Sequence, residues 1–291
     1  MEPGQIIKGV GSFYEVQLRS GSVTCKARGR FRREGITPMV GDYVAVLPQP
    51  DGNWAIQDIL PRKNALVRPP ICNIDQLIII VSASVPRPDW LLIDKLIVQA
   101  KLLGIVPVPV LNKLDEPDSG IVSTFLAEYA QAFPAHCISA RTGEGLDALR
   151  AQLSGRVSCL AGQSAVGKSS LINVLLPELQ LAVGGLAKKT DRGRHTTRHA
   201  ELWPCLGGAI VDTPGFSLFE AEAIDQARLD ACYPEFGDAP QRCRFAGCAH
   251  VSEPDCAVKA LLPSGKLTAG RYARYLEIHQ EIEQRKRNKY D

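Results

Sequence analysis

The sequence predicts a multidomain α/β chain. A small N-terminal β-barrel is followed by a parallel sheet flanked by helices, and a helical C-terminal segment is held by a metal ion. Three observations carry this reading. Five short β-rich stretches crowd into the first seventy residues, apolar strands then alternate with helical stretches, and three cysteines and a histidine cluster near the C-terminus. At 291 residues the chain has room for two or three domains and at least one sizeable core. The longest purely apolar run, residues 77–81, is far too short to span a bilayer, and no basic-then-apolar leader opens the chain. A cytoplasmic protein with no membrane partner is expected, its nine cysteines serving as reduced thiols or metal ligands.

Residues 6–10, 13–19, 23–28, 42–47 and 54–59 are the β-rich stretches, mostly separated by glycine or proline. They place a small barrel in residues 1–68. The OB-fold is the commonest nucleic-acid binder of that kind, and an SH3-like barrel is the alternative. The loop Arg28-Gly29-Arg30-Phe31-Arg32-Arg33 mixes an aromatic with four cations, which suits phosphate contact plus base stacking. Arg28, Arg30, Arg32 and Arg33 are thus candidate RNA-binding residues. Lys188, Lys189, Arg192, Arg194 and Arg198 form a second basic cluster, and Arg285, Lys286, Arg287 and Lys289 a third. In a chain of net charge +3 such clustering points to an extended anionic partner.

A linker with proline and arginine, residues 61–70, leads into a different pattern. Residues 77–81 read as a buried parallel strand. Residues 89–103 read as a helix capped by Asp89, 106–111 as a strand despite two prolines, 122–133 as helix, 136–138 as strand and 145–153 as helix. Residues 157–161 are again a strand, 169–176 a helix and 209–211 a strand. This alternation implies a parallel sheet with helices on both faces, expected over residues 69–219, with ligands bound at the carboxyl ends of the strands.

The polar motifs fall at those ends. Gly162-Gln163-Ser164-Ala165-Val166-Gly167-Lys168-Ser169 has the G-x-x-x-x-G-K-S spacing of a phosphate-binding P-loop. Its glycines let backbone N–H groups wrap phosphate oxygens, Lys168 reaches the β- and γ-phosphates, and Ser169, with Ser170 beside it, opens a helix whose N-terminus favours anions. Asn112-Lys113-Leu114-Asp115 is an N-K-x-D motif. Its aspartate accepts from N1–H and the exocyclic N2–H of guanine, donors that adenine lacks, while the asparagine supports the purine edge and the lysine stem packs on the ring. Ser139-Ala140 opens a loop of the kind whose backbone touches guanine O6. Asp212-Thr213-Pro214-Gly215 fits D-x-x-G, in which the aspartate holds Mg²⁺ through water and Gly215 senses the γ-phosphate. Ser169, Asp212 and a threonine of Arg192-Gly193-Arg194-His195-Thr196-Thr197-Arg198 complete the Mg²⁺ set. Thr197 is favoured over Thr196, with the assignment open by one residue.

Two departures matter. Guanine recognition precedes the P-loop, so the order is circularly permuted relative to ordinary GTPases; the same pocket forms if old termini are joined and new ones cut in a loop. Phe216 also stands where a Ras-like glutamine would orient water, so slow hydrolysis by the isolated chain is expected. His195 is the local candidate for positioning water, the alternative being a histidine that contacts phosphate or RNA. Further on, Cys243, Cys248, His250 and Cys256 are spaced for a closed, structural, tetrahedral Zn²⁺ site in residues 220–291, flanked by Arg242 and Arg244 and followed by a charged helix over residues 269–289. Cys232 lies outside the set, and Cys25, Cys72, Cys137, Cys159 and Cys205 read as ordinary core.

The P-loop, the upstream N-K-x-D, the Gly-Arg-His-Thr-Thr switch, Asp-Thr-Pro-Gly-Phe and the Cys₃His set together resemble the ribosome small subunit-dependent GTPase A family (RsgA, also called YjeQ). The resemblance covers the whole chain, and Val40-Gly41-Asp42-Tyr43-Val44 looks like that family's barrel. It implies an OB-fold, a circularly permuted GTPase domain and a zinc-binding domain. It implies a monomeric GTP hydrolase that takes Mg²⁺ with GTP and carries one Zn²⁺. Such a protein acts late in maturation of the small (30S) ribosomal subunit, binds 16S rRNA near the decoding region, is stimulated by the subunit and leaves as the GDP form. The match also gives His195 the family's proposed catalytic histidine, and Phe216 its hydrophobic replacement of glutamine. The rivals are an RNA-binding scaffold in which GTP is structural, and a GTPase acting on another RNA.

Overall fold

The computed structural model of the chain describes residues 1–50, 52–66, 69–117, 120–179, 200–212 and 229–290, with backbone alone for residues 32, 212 and 288–290. Strands β1 (Glu2–Val10), β2 (Phe13–Leu18) and β3 (Gly21–Ala27), the one-turn helix α1 (Gly29–Arg33), β4 (Tyr43–Pro48) and β5 (Trp54–Ile59) come first. They pair in the order β1-β2-β3-β5-β4, and β4 returns to β1, closing a five-stranded barrel. Alternation fills it: Tyr14, Val16 and Leu18 of β2 and Val44 and Val46 of β4 point inward. The arginine-rich stretch departs from expectation. It is a helical turn rather than a loop, and Phe31, 3% exposed, is part of the barrel core. A ring buried there cannot stack on a base, so the stacking role expected of Phe31 is withdrawn. Arg30 lies over that ring and donates to the Gln57 carbonyl at 2.6 Å and to Asp58 at 3.1 Å. Arg28 and Arg33 are exposed.

The linker is tied down. Arg62 donates to both oxygens of the fully buried Asp42, at 2.7 and 2.8 Å. A small hairpin, β6 (Ala65–Leu66) with β7 (Ile71–Cys72), completes the junction. The central sheet follows: β8 (Gln76–Ser82), α2 (Trp90–Leu102), β9 (Val106–Asn112), α3 (Ile121–Tyr129), β10 (His136–Cys137), α4 (Leu146–Leu153), β11 (Val157–Ala161), α5 (Lys168–Leu175), β12 (Glu201–Cys205) and β13 (Gly208–Asp212). Its order is β10-β9-β8-β11-β13-β12, parallel except for β12. Every residue of β8 is buried. Leu77, Ile79 and Val81 meet α2 and α3 on one face, and Ile78 and Ile80 meet α4 and α5 on the other. Asp89 caps α2 as expected, accepting from Leu92 N–H at 2.9 Å.

Two local features explain what the residue pattern obscures. In the described sheet β10 pairs with Val110 and Leu111, so Pro107 and Pro109 lie on a stretch of β9 whose outer side needs no amide donor. Strand β12 was not expected, because Pro204 interrupts it. It forms a hairpin with β13, and at Glu201 it also meets Lys8 of β1, where the two side chains pair at 2.9 Å. That contact joins barrel and central sheet into one sheet of 11 strands.

The C-terminal segment is built from three-ten turns at Asp230–Cys232, Pro234–Phe236, Ala239–Arg242 and Lys259–Leu261 and from the helix α6 (Ala269–Tyr290). Tyr275, Ile278 and Ile282 form the buried stripe of α6. They share a core with Tyr233, Phe236 and Leu267 and with Val98 of α2. Beneath lies a charged lattice. Fully buried Asp94 pairs with Arg271 at 2.5 Å and Arg274 at 2.6 Å; Arg271 continues to Glu235 at 2.6 Å and Arg274 to Glu128 at 2.6 Å. Tyr129 donates to Asp94 at 2.7 Å, and the Arg271 guanidinium lies 4.5 Å from the Tyr233 ring centre.

Candidate nucleotide site and metal centre

Parallel register brings the motifs to one edge. Ser82 of β8 lies opposite Asn112 of β9, Ala161 of β11 opposite Ile79, and Cys159 opposite Val211. Asn112, the P-loop and Asp212 therefore leave the sheet on the same side. Asn112, 2% exposed, rivets the loops together. Its Nδ2 donates to the Val166 carbonyl of the P-loop at 3.0 Å, and its Oδ1 accepts from Ala140 N–H at 3.0 Å. The amide thus spans three motifs far apart in sequence.

The P-loop is built for close approach. Gly162 has φ +139°, and a Cβ there would lie 2.2 Å from the Ile80 carbonyl oxygen. Gly167 has φ +100°, and a Cβ would lie 2.3 Å from Asn112 Nδ2. No larger residue fits either place. Ala165, at φ 64°, holds a left-handed conformation without glycine's freedom. Ser164 and Ala165 are exposed at the loop tip and Val166 is buried beneath it, while Ser169 and Ser170 start α5 half-buried. Lys168 Nζ donates to the carbonyls of Gly162 at 2.8 Å and Gln163 at 2.5 Å, and burial lowers its pKa. A phosphate oxygen is a stronger acceptor for that ammonium than either carbonyl. Gln163 contributes a contact that the motif did not announce: its Oε1 accepts from Asp89 N–H at 3.1 Å, joining the P-loop to the cap of α2.

Asp115 sits opposite. Its side chain is 8% exposed, Ser139 Oγ donates to one carboxylate oxygen, and Arg141 meets the other. The Ser139 hydrogen bond, with Arg141 after it, holds this carboxyl below its usual range. Lys113, at φ 72°, donates to the Val85 carbonyl at 2.5 Å. His195, Thr196, Thr197, Gly215, Phe216 and the basic cluster from Lys188 to Arg198 lie outside the described residues.

Residues 59–222 match the family described as RsgA GTPase, and residues 3–55 match the RsgA N-terminal domain. The chain belongs to the RsgA GTPase family. A "Small ribosomal subunit biogenesis GTPase RsgA" from Caldanaerobacter subterraneus subsp. tengcongensis is 40% identical over 289 residues, 99% of this chain and 98% of the relative. One of the same name from Bacillus cereus is 41% identical over 290 residues, 98% and 99% of the two chains. The crystal structure of YjeQ from Thermotoga maritima superposes with TM-score 0.85 at 34% identity, covering 97% of this chain and 98% of that one. That of YloQ, titled a circularly permuted GTPase, gives 0.82 at 33%, covering 98% and 96%. RsgA membership fits the barrel, the permuted order of motifs and the Cys/His cluster described next. Among the described residues no helix is long and apolar enough to cross a membrane.

The ligand atoms of Cys243, Cys248, His250 and Cys256 all lie within 4.8 Å of one another. The thiol sulfurs of Cys243 and Cys256 are 3.9 Å apart, and His250 Nδ1 is 3.6 and 3.4 Å from them. Metal–sulfur bonds of about 2.3 Å and a metal–nitrogen bond of about 2.0 Å give tetrahedral edges of about 3.8 and 3.5 Å, so the donors fit a closed four-coordinate ion. The loop is fastened from behind. Tyr272 and Tyr275 donate to the carbonyls of His250 and Ala249 at 2.7 and 2.8 Å, and Glu253 accepts from Ala249 and Val251 N–H at 2.8 and 2.9 Å. Burial lowers the His250 pKa, which keeps its imidazole neutral and able to ligate.

Proposed function

We propose that this chain is a GTP hydrolase that acts late in maturation of the small (30S) ribosomal subunit in the cytoplasm. It binds 16S rRNA in its GTP form, is stimulated by the subunit and leaves after hydrolysis to GDP. The observation that carries the guanine-nucleotide reading is the Asn112 rivet, which holds the N-K-x-D strand, the Ser139-Ala140 loop and the P-loop in one pocket despite their permuted order. Within it Asp115 reads the base, and Gly162, Gln163, Ser164, Ala165, Val166, Gly167, Lys168, Ser169 and Ser170 hold the phosphates. Mg²⁺, when bound with GTP, neutralises charge on the β- and γ-phosphates; Ser169, Asp212 and Thr197 are its assigned holders. Gly215 senses the γ-phosphate, and His195 positions the attacking water. The small-subunit partner comes from the relatives' names, and the exposed Arg28 and Arg33 support an RNA contact by the barrel. We assign boundaries at residues 1–68, 69–219 and 220–291 and a monomeric state.

GTP turnover by the purified chain, with and without small ribosomal subunits, tests this reading. Stimulation that is absent from Lys168→Ala is the expected result. Slow turnover indifferent to subunits would instead favour a scaffold in which GTP is structural.

We assign zinc to the Cys₃His centre on its sulfur-rich donor set and tetrahedral spacing. Metal binding to such sites contributes on the order of 10 kcal/mol to local folding. Chelation is therefore expected to open residues 229–290 to protease and to release one equivalent of zinc, measured by atomic absorption. Cys256→Ser should reproduce the protease sensitivity without a chelator.

A further inference from the structure

Arg141 is a surface residue with a buried destination. Its side chain is 74% exposed, yet it ends on Asp115, the carboxylate assigned to guanine. Arg141 Nε donates to Asp115 Oδ2 at 2.5 Å, and a terminal nitrogen approaches the Asp115 carbonyl at 3.4 Å. Ser139 Oγ holds the other carboxylate oxygen from the wall of the site. Guanine needs both oxygens, because N1–H and N2–H lie side by side and donate in parallel. The two neighbours differ in how they tolerate that. A carboxylate oxygen accepts more than one hydrogen bond, so the small Ser139 hydroxyl can stay while the base enters. The planar, charged guanidinium lies on the solvent side and sets both Nε and a terminal nitrogen on Oδ2, which leaves that oxygen little capacity for the base.

We infer that Arg141 is an intramolecular competitor for the guanine-reading carboxylate, and that it sets the rate at which guanine nucleotides enter. The inference rests on the guanine-site reading above. In the paired state Asp115 is closed to the base, so the apparent affinity is the intrinsic affinity multiplied by the fraction of time Arg141 is released. An exposed arginine suits this task. Its ion pair is weak enough to open often, and at neutral pH its charge does not depend on pH. A bound base is no longer subject to the competition, so departure is unaffected.

Stopped-flow binding of fluorescent GDP to the full chain separates these effects. Arg141→Ala should raise the association rate about two- to fivefold at low salt and leave the dissociation rate unchanged. Arg141→Lys retains the charge but loses the planar fork, and should fall between Arg141→Ala and the unaltered chain. The difference between Arg141→Ala and the unaltered chain should close toward 1 M KCl, where the Debye length is about 3 Å. Slower or unchanged association in Arg141→Ala, or an effect confined to dissociation, would overturn the inference while leaving the guanine site intact. Failure of the unaltered chain to bind GDP at all would overturn both.

Discussion

Asp115→Asn is expected to weaken GDP binding by about a hundredfold or more and to strengthen binding of xanthosine diphosphate. The substitution replaces a carboxylate oxygen by an NH₂ group at the point where guanine presents its own N2–H donors. Two donors then face each other in a site that is 8% exposed at Asp115. Each donor left without an acceptor costs about 1–3 kcal/mol, and two of them account for the expected loss. Xanthine carries a carbonyl at the same ring position, so the new amide has an acceptor. The fold should be undisturbed, because Ser139 Oγ can still donate to the remaining carbonyl oxygen of the side chain. Calorimetric titration with both diphosphates gives the answer; equal GDP affinities in parent and variant would remove Asp115 from base recognition.

Asp94→Ala should destabilise the folded chain by about 3–5 kcal/mol. Asp94 is fully buried and neutralises two arginines, of which Arg271 is 1% exposed and Arg274 11%. Its removal leaves each cation with one carboxylate, Glu235 for Arg271 and Glu128 for Arg274, and takes the acceptor from the buried Tyr129 hydroxyl. Lys95 is the control. It sits beside Asp94 on α2 and pairs with Glu281 at 2.6 Å, but both partners are about a third exposed. Screening limits such a pair to about 1 kcal/mol or less, so Lys95→Ala should be nearly silent. Urea denaturation of both variants makes the comparison. Similar losses would mean that burial is not what gives the lattice its strength.

The site was legible because its chemistry is local in sequence. A P-loop needs glycine where φ is positive and where Asn112 comes close, and those glycines are written at fixed spacing. The same holds for the cap at Asp89, the four metal ligands and the alternation inside the barrel. Other features depend on partners that the linear order hides. Phe31 looked like a stacking residue because its neighbours are cations, and only closure of the barrel shows its ring turned inward. Pro204 masked β12, since a proline argues against a strand until the unpaired side is known. Asp94 and Arg274 stand 180 positions apart, and nothing in either neighbourhood announces the other. Arg141 follows the Ser139-Ala140 pair directly, but its reach to Asp115, 26 positions earlier, is likewise set by the fold.

Helix α2 is a party wall. Ile93, Leu96, Ile97 and Ala100 line the room on the sheet side, and Val98, with Leu91 and Leu102 beside it, lines the room on the side of α6. A wall that serves two rooms belongs to neither. A chain cut before residue 229 would leave Val98 and the Asp94 carboxylate facing water, so the nucleotide half is not a freestanding building that a downstream annex merely touches. Heat that loosens one side removes the backing of the other, and the two should come down together, in a single cooperative melt.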